Sequence, residues 1–255
     1  RSAFSATTGH TLPDRYIEGT CPICGFPDAR GDQCDKCGRI LDPVELIEPT
    51  YRRGTERYPV EIRDTEHLFF RLSAVQDRLL QWVVPQEHWR ANVRNFTRGY
   101  LQDGLRDRAV SRDIDWGIPL PLEGFEDKRI YVWFEAVVGY LSASKEWAQR
   151  RGEPDAWKPS WLDPETRAYY FIGKDNIPFH TIIWPAMLMA GDAGYILPYD
   201  VPANEFLTLE GRQLSTSRNW AVWVPDYLER FPPDPLRYHL AANMPVTSDA
   251  DFSWG

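Results

Sequence analysis

Two Cys-x-x-Cys pairs, Cys21-Pro-Ile-Cys24 and Cys34-Asp-Lys-Cys37, hold every cysteine of this chain inside one short window. Two thiols at that spacing can bite one metal ion from a tight turn, and the loop between the pairs can bring all four sulfurs to one tetrahedral site. Gly25 and Gly38 follow the two pairs and suit the positive backbone angles of such turns. Disulfides would need an oxidising compartment, for which nothing in the sequence argues. A thioredoxin-like redox motif would need one pair, not two. The spacing therefore predicts structural Zn2+ on Cys21, Cys24, Cys34 and Cys37. With four thiolates such a site is closed, so the metal holds the fold and does no catalysis.

Around that knuckle, 255 residues are enough for two or three units, each with its own core. A net charge of -8 argues against a protein that coats nucleic acid through bulk electrostatics, so any RNA contact must be local and shaped. No apolar run approaches the length of a membrane span. Eleven Trp residues point to cores and ligand pockets lined with rings. The chain opens on Arg1, its first methionine is Met187, and no signal or transit sequence precedes it. We therefore expect a cleaved product or an excerpt of a longer protein.

Periodicity supplies the coarse structure. From His67 to about Val84, Leu68, Phe69, Leu72, Val75, Leu79 and Leu80 recur at helical spacing, and after Pro85 the stretch from Glu87 to Leu105 reads as a second helix. Ile130 to Phe134 is a short β-rich run leading into helical spacing at Trp133, Ala136, Val137, Tyr140 and Leu141. The pattern returns with Tyr169-Tyr170-Phe171-Ile172 as a buried-strand candidate, a Gly173-Lys174-Asp175 turn, and a helix through Thr181 to Ala190. Alternating strands and helices predict parallel β-α units in a doubly wound α/β sheet. Asp234-Pro235 reads as a helix start, with Asp at the cap and Pro at the first position.

Three blocks then resemble one family. They are Leu12-Pro-Asp-Arg-Tyr16 before the first cysteine pair, Tyr131-Val-Trp-Phe-Glu-Ala136 with Gly139-Tyr140, and Phe171-Ile-Gly-Lys-Asp-Asn-Ile-Pro-Phe-His180 followed by Trp184-Pro185-Ala186. In order and spacing they are similar to methionyl-tRNA synthetases over essentially the whole chain. The resemblance implies the second half of a class I Rossmann-type nucleotide fold, with a zinc-knuckle connective domain and the start of a stem-contact region. Residues 1–128 would be the connective domain, with the knuckle at about 19–42. Residues 129–206 would be the second half of the nucleotide fold, and 207–255 the stem-contact region.

The implied reaction is activation of methionine by ATP, with Mg2+ as its counterion, then transfer to the acceptor end of tRNA(Met). It would take place in the cytoplasm, without a membrane, and with the remainder of the same polypeptide supplying an N-terminal catalytic half and a C-terminal anticodon-binding domain. Methionine is an uncharged thioether, so shape, aromatic contact and a weak bond to sulfur must recognise it. By resemblance its pocket is Trp133, Ala136, Val137, Tyr140, Phe179, His180 and Trp184, with Tyr140 and His180 best suited to face the sulfur. Spacing alone favours plain helix core for the Trp133–Tyr140 stripe. Gly173 and Asp175 stand where a strand ends and a helix begins, the usual ligand crevice of an α/β sheet, and would bind ATP. Arg112, in Ser111-Arg-Asp113, resembles a family arginine near the active site, paired with Asp175; a surface arginine is the competing reading.

Two departures stand out. The family's mobile loop usually reads Lys-Met-Ser-Lys-Ser, its lysines stabilising the departing pyrophosphate. Here the stretch is Gln213-Leu214-Ser215-Thr216-Ser217, flanked by Arg212 and Arg218. Arg212 or Arg218 is expected to supply the charge, beside Ser215, Thr216 and Ser217 as catalytic-loop residues, with Thr216 also touching ATP. A His-x-Gly-His motif is absent, so the chain by itself is expected not to form methionyl-adenylate. Two rivals remain at this point. One is another class I synthetase, for leucine, isoleucine, valine or cysteine; the other is a non-catalytic zinc-binding module for RNA or protein.

Overall fold

In the computed structural model the described residues are all except Thr8, His10, Gly54, Ser217, Arg218 and Gly255. The chain packs into two compact units, Arg1–Arg71 with Asp107–Ala136, and Leu72–Arg106 with Val137–Gly255. Helices α1 (Gln76–Val83) and α2 (Ala91–Gln102) thus pack with the second unit.

The first unit is built on an antiparallel sheet of β1 (Ser2–Ser5), β2 (Ile17–Thr20), β3 (Ala29–Arg30), β4 (Ile47–Arg53) and β5 (Glu56–Arg63), in the order β1-β5-β4-β2-β3. Ile17, Ala29, Leu41, Leu46 and two of the cysteines form its buried core, so the knuckle is part of the hydrophobic cluster and not an appendage. Two short antiparallel ladders follow: β6 (Phe69–Phe70) on β7 (Arg108–Ala109), and β8 (Ser111–Arg112) on β9 (Arg129–Ile130). A helical turn, α3 (Val132–Glu135), ends the unit's second segment.

The second unit continues with α4 (Gly139–Arg150) and α5 (Lys158–Leu162). Strand β10 (Ala168–Tyr169) runs parallel to β12 (Pro198–Asp200), and β11 (Ile172–Gly173) runs parallel to β13 (Ala203–Asn204). Between the pairs lies α6 (Trp184–Ala190), preceded by a π-helical stretch at Phe179–Ile183. Strand β14 (Leu207–Leu209) makes a hairpin with β15 (Arg212–Gln213), α7 (Val224–Leu228) and α8 (Pro233–Ala242) follow, and β16 (Ala250–Phe252) returns parallel to β14.

Several expectations change. The helix expected from His67 begins only at Gln76, because Phe69–Phe70 pairs with Arg108–Ala109 and Leu72–Val75 forms a 3-10 turn. The second helix is shorter than Glu87–Leu105. The run Tyr169–Ile172 is two strands with different partners, and Phe171 between them is 79% exposed. Parallel pairing is present, but among the described residues it lies in separate ladders, not one doubly wound sheet. The last long helix starts at Pro233, with Pro232 at the N-cap position and no side-chain cap, so Asp234 lies inside its first turn.

One close approach sets the first unit's geometry. A Cβ on Gly31 would meet the Asp14 carbonyl oxygen at 2.5 Å and Pro43 Cβ at 2.9 Å, and the Gly31 N–H donates to the Ile17 carbonyl at 2.9 Å. Backbone cannot yield as a side-chain tip can. G31A is therefore expected to cost about 1–3 kcal/mol of stability, read by chemical denaturation; an unchanged midpoint would contradict this packing.

Candidate metal centre and aromatic site

The two cysteine pairs sit on matching turns. Gly25 N–H donates to the Cys21 carbonyl at 3.0 Å and Gly38 N–H to the Cys34 carbonyl at 2.9 Å, with φ of 70° and 68° at the two glycines. Cys21 N–H donates to the Phe26 carbonyl at 2.8 Å, and Cys34 N–H to the Arg39 carbonyl at 2.9 Å. The result is a pair of equivalent knuckles whose four sulfurs lie within 4.8 Å of one another, with Cys24 and Cys34 Sγ 3.6 Å apart. That separation is far beyond a disulfide bond, and all four cysteines are free. Tetrahedral zinc with Zn–S near 2.3 Å sets S···S at about 3.8 Å, which the cluster fits. Cys21 and Cys34 are buried, while Cys24 and Cys37 are half-buried. Burial pushes the Cys34 thiol up to about 12 and raises Cys37, whereas the Phe26 N–H holds Cys24 lower. Buried sulfurs of this kind become thiolates when a dication compensates their charge.

Elsewhere in the first unit Arg112 is anchored. Its Nε and Nη2 both reach Asp14 Oδ2, at 2.9 and 2.8 Å, and its guanidinium lies 3.8 Å from the Tyr131 ring centroid. Burial pushes the Asp14 carboxyl up, against the pull of Arg112. Arg112 is thus built into the fold and is not a loose surface arginine. Trp133 and Ala136 belong to this unit too, with Arg15 6.0 Å from the Trp133 ring centroid.

The second unit gathers Val137, Tyr140, Phe179, His180 and Trp184. Val137 and Trp184 are core members with Trp161 and Leu188, and Phe179 packs against them. Tyr140 stands 5.7 Å from the His180 ring, 6.4 Å from Trp184 and 5.1 Å from Tyr170, centroid to centroid. Proton bookkeeping fixes the polar contacts. His180 Nδ1 is 3.0 Å from the Asn176 carbonyl, which can only accept, so Nδ1 carries the proton. Burial lowers the His180 pKa, so the ring is neutral and Nε2 is an acceptor. The Tyr140 hydroxyl, 2.8 Å away, therefore donates to it. Trp184 Nε1–H donates to the Tyr170 hydroxyl at 3.0 Å, and Trp161 Nε1–H to Ser144 Oγ at 2.9 Å. Tyr140 is 43% exposed and His180 5%, so the pair opens outward on the tyrosine side. Tyr170 and Trp161 complete this cluster and were not singled out in the sequence. The adjacent Tyr169-Tyr170 pair was the available signal.

The π-helical stretch has a local cause. Trp184 N–H donates to the Phe179 carbonyl five residues back, and Pro185 next to it has no N–H to continue either ladder. Gly173 ends β11 with an extended backbone, φ -83°, which any residue can adopt. A Cβ would meet Asp175 Oδ1 at 2.8 Å, placing that carboxylate against the strand end. In the loop, β14 and β15 turn through Glu210 and Gly211, both at positive φ. Ser215 and Trp220 exchange backbone hydrogen bonds at 2.8 and 2.9 Å, and Arg212 lies 4.3 Å from the Trp220 ring centroid. Thr216 is exposed, while Ser217 and Arg218 fall outside the described residues.

Two outcomes follow from this chemistry. The protein should carry one zinc ion per chain by elemental analysis, and C34S should lose it together with much of the first unit's stability. Metal binding of this type contributes on the order of 10 kcal/mol in isolated zinc peptides; a stable, metal-free wild type with two disulfides would contradict the site. For His180 the folded pKa lies below the unfolded value of 6.5, so the unfolded chain takes up the proton first. Stability is then complete above pH 6.5 and falls as pH drops below it, by up to about 1.4 kcal/mol per pH unit. His67, also lowered by burial, adds a second contribution of the same sign. H180Q should flatten part of the slope in urea midpoints between pH 7 and 5; an unaltered slope would mean that His180 is not buried neutral.

The comparisons with known proteins agree with these features. Residues 1–255 match the model of the family described as tRNA synthetases class I (M). The chain is similar to the methionine–tRNA ligase of Thermomicrobium roseum, 61% identical over 243 residues, which cover 95% of this chain and 41% of that protein. With that of Dehalococcoides mccartyi it is 59% identical over 251 residues, covering 98% and 45%. Among solved structures it is similar to Mycobacterium tuberculosis methionyl-tRNA synthetase in complex with methionyl-adenylate, with a TM-score of 0.64 and 26% identity over 99% of this chain and 43% of that one. The chain spans less than half the length of these relatives. No helix among the described residues is long and apolar enough to cross a membrane. A family-model match over the whole length of the chain, an α/β fold shared with a solved synthetase and four sulfurs gathered in a knuckle lead to one conclusion: this chain belongs to the class I (M) tRNA synthetases.

Proposed function

We propose that this chain is the central part of a methionine–tRNA ligase that activates methionine with ATP and transfers it to the acceptor end of tRNA(Met). The observation that carries the reading is the uncharged ring cluster of Tyr140, His180 and Trp184. A thioether needs a polarisable, neutral surface, and a charged cavity would favour other side chains. The Tyr140 proton is engaged by His180, so the hydroxyl oxygen shows lone pairs outward and rejects acceptor-bearing side chains. Sulfur is then recognised by contact with the rings, and a hydrogen bond to it needs the Tyr140 proton to swing away from His180. Val137 and Phe179 of the same unit would add to the methionine pocket, and the resemblance assigns Trp133, Ala136 and Arg112 to the same substrate.

Gly173 and Asp175 suit the nucleotide: glycine permits close backbone approach, and the carboxylate accepts hydrogen bonds from ribose hydroxyls. Arg212 and Arg218 would offset charge on the departing pyrophosphate, with Ser215, Thr216 and Ser217 lining the loop and Mg2+ accompanying the ATP phosphates. Zinc on the four cysteines would hold the knuckle of a connective domain, residues 1–128. Residues 129–206 would be the second half of a Rossmann-type fold and 207–255 the start of a stem-contact region. The remainder of the polypeptide would carry the other catalytic half and the anticodon-binding domain, all working in the cytoplasm.

The deciding experiment is amino-acid-dependent ATP–pyrophosphate exchange on a chain extended to the length of its relatives. Methionine should support exchange, and leucine, isoleucine, valine and cysteine should not. Exchange with one of the others would overturn the pocket assignment, and none with any would favour a binding module. The 255-residue chain by itself should form no adenylate. R212A and R218A should each slow adenylation by more than about tenfold, roughly 1.4 kcal/mol of transition-state stabilisation; wild-type rates would discard the arginine substitution for lysine.

A further inference from the structure

Lys174 lies between the two residues assigned to the nucleotide, yet its side chain faces another element. Its Nζ is 2.8 Å from Glu205 Oε2 and 2.7 Å from Asp249 Oδ1, and 4.3 Å from the Phe206 ring centroid. Partial burial would lower its pKa, but Asp249 and Glu205 hold it above the ordinary value, so the ammonium is firmly charged. These partners are not incidental surface groups. Glu205 directly follows β13, the parallel partner of β11, and its Oε1 also accepts from Asn92 Nδ2 at 2.8 Å. Asp249 directly precedes β16, and the same Oδ1 accepts the Phe206 N–H at 2.8 Å.

Glu205-Phe206 leads into β14, and Asp249 leads into β16, so the ammonium ties together the starts of two parallel strands. Midway along the ladder Asp251 of β16 accepts from the Thr208 hydroxyl of β14, and from the Gly211 N–H at 2.8 Å in the hairpin turn. That hairpin delivers Arg212 and Gln213 to the loop. We infer that Lys174 is a positioning residue: it fixes the base of the β14–β15–β16 loop platform to the Gly173–Asp175 turn, so that the nucleotide turn and the pyrophosphate loop move as one piece. A charge-assisted pair of bonds to two carboxylates, with a ring beneath the ammonium, is stronger than an exposed ion pair.

The inference rests on the ATP roles proposed above, but its first test does not. In wild-type protein and K174M, amide hydrogen exchange is followed over Leu207–Gln213, with Ile17–Thr20 of the other unit as the internal reference. K174M should quicken exchange in the hairpin by about tenfold or more and leave the reference unchanged, with K174R restoring most of the protection. No change in the hairpin overturns the coupling. If K174M does not fold, D249N removes one end of the clamp while leaving Lys174 paired with Glu205, and the same comparison applies. In the extended enzyme, K174M should raise the KM for ATP by about fivefold or more and hold that for methionine within about twofold. Equal rises for both substrates would mean general disruption and would overturn the positioning role. A wild type inactive with every amino acid would sink the proposed function instead, and the exchange comparison would still decide the coupling.

Discussion

A single proton on His180 organises the polar side of the second unit. The Asn176 carbonyl accepts it at Nδ1, burial keeps the ring neutral, and the other ring nitrogen has to accept from Tyr140. The orientation of Tyr140 follows, and with it the face that the tyrosine turns to Tyr170 and Trp184. Charging His180 would replace an accepting nitrogen with a donor aimed at a hydroxyl already in place, at the cost of desolvation. The aromatic stack therefore behaves as a neutral assembly.

The first unit solves a different problem. Its central sheet is small, and its core includes the cysteines themselves, a cluster that could hold a metal, so it has less apolar burial to draw on than a larger domain. The same unit secures Arg112 with a carboxylate and a ring, and secures the Asp14 backbone by packing it against Gly31. The anchor of Arg112 and the knuckle are close in sequence: Asp14 stands seven residues before Cys21.

How legible this was depended on the range of each interaction. The cysteine spacing encodes its geometry locally, and the two turns close as their glycines suggest. Tyr140, His180 and Trp184 carry both a local pattern and a family resemblance, and the structure groups them. Phe69-Phe70 misleads, because helical spacing is outcompeted by pairing to a strand nearly forty residues on. Tyr169–Ile172 looks like one buried strand, but its two ends find different partners, which no window on the sequence can register. Lys174 reads as an ordinary turn lysine, since its carboxylate partners lie 31 and 75 residues away. The loop residues were read from resemblance, and only Arg212, Gln213, Leu214, Ser215 and Thr216 of that stretch are described in the structure.

The π-helical stretch before Trp184 puts local regularity and site geometry in opposition. An ordinary helix advances about 100° per residue, so absorbing one extra residue changes the phase of everything downstream. His180 lies within the wide turn and Trp184 just past it, and both face Tyr140. Deleting one residue between Phe179 and Ile183 would give a better-formed backbone and would swing Trp184 away from the rings. What this segment specifies is thus partly a count: its length is constrained more tightly than the identity of any one residue within it.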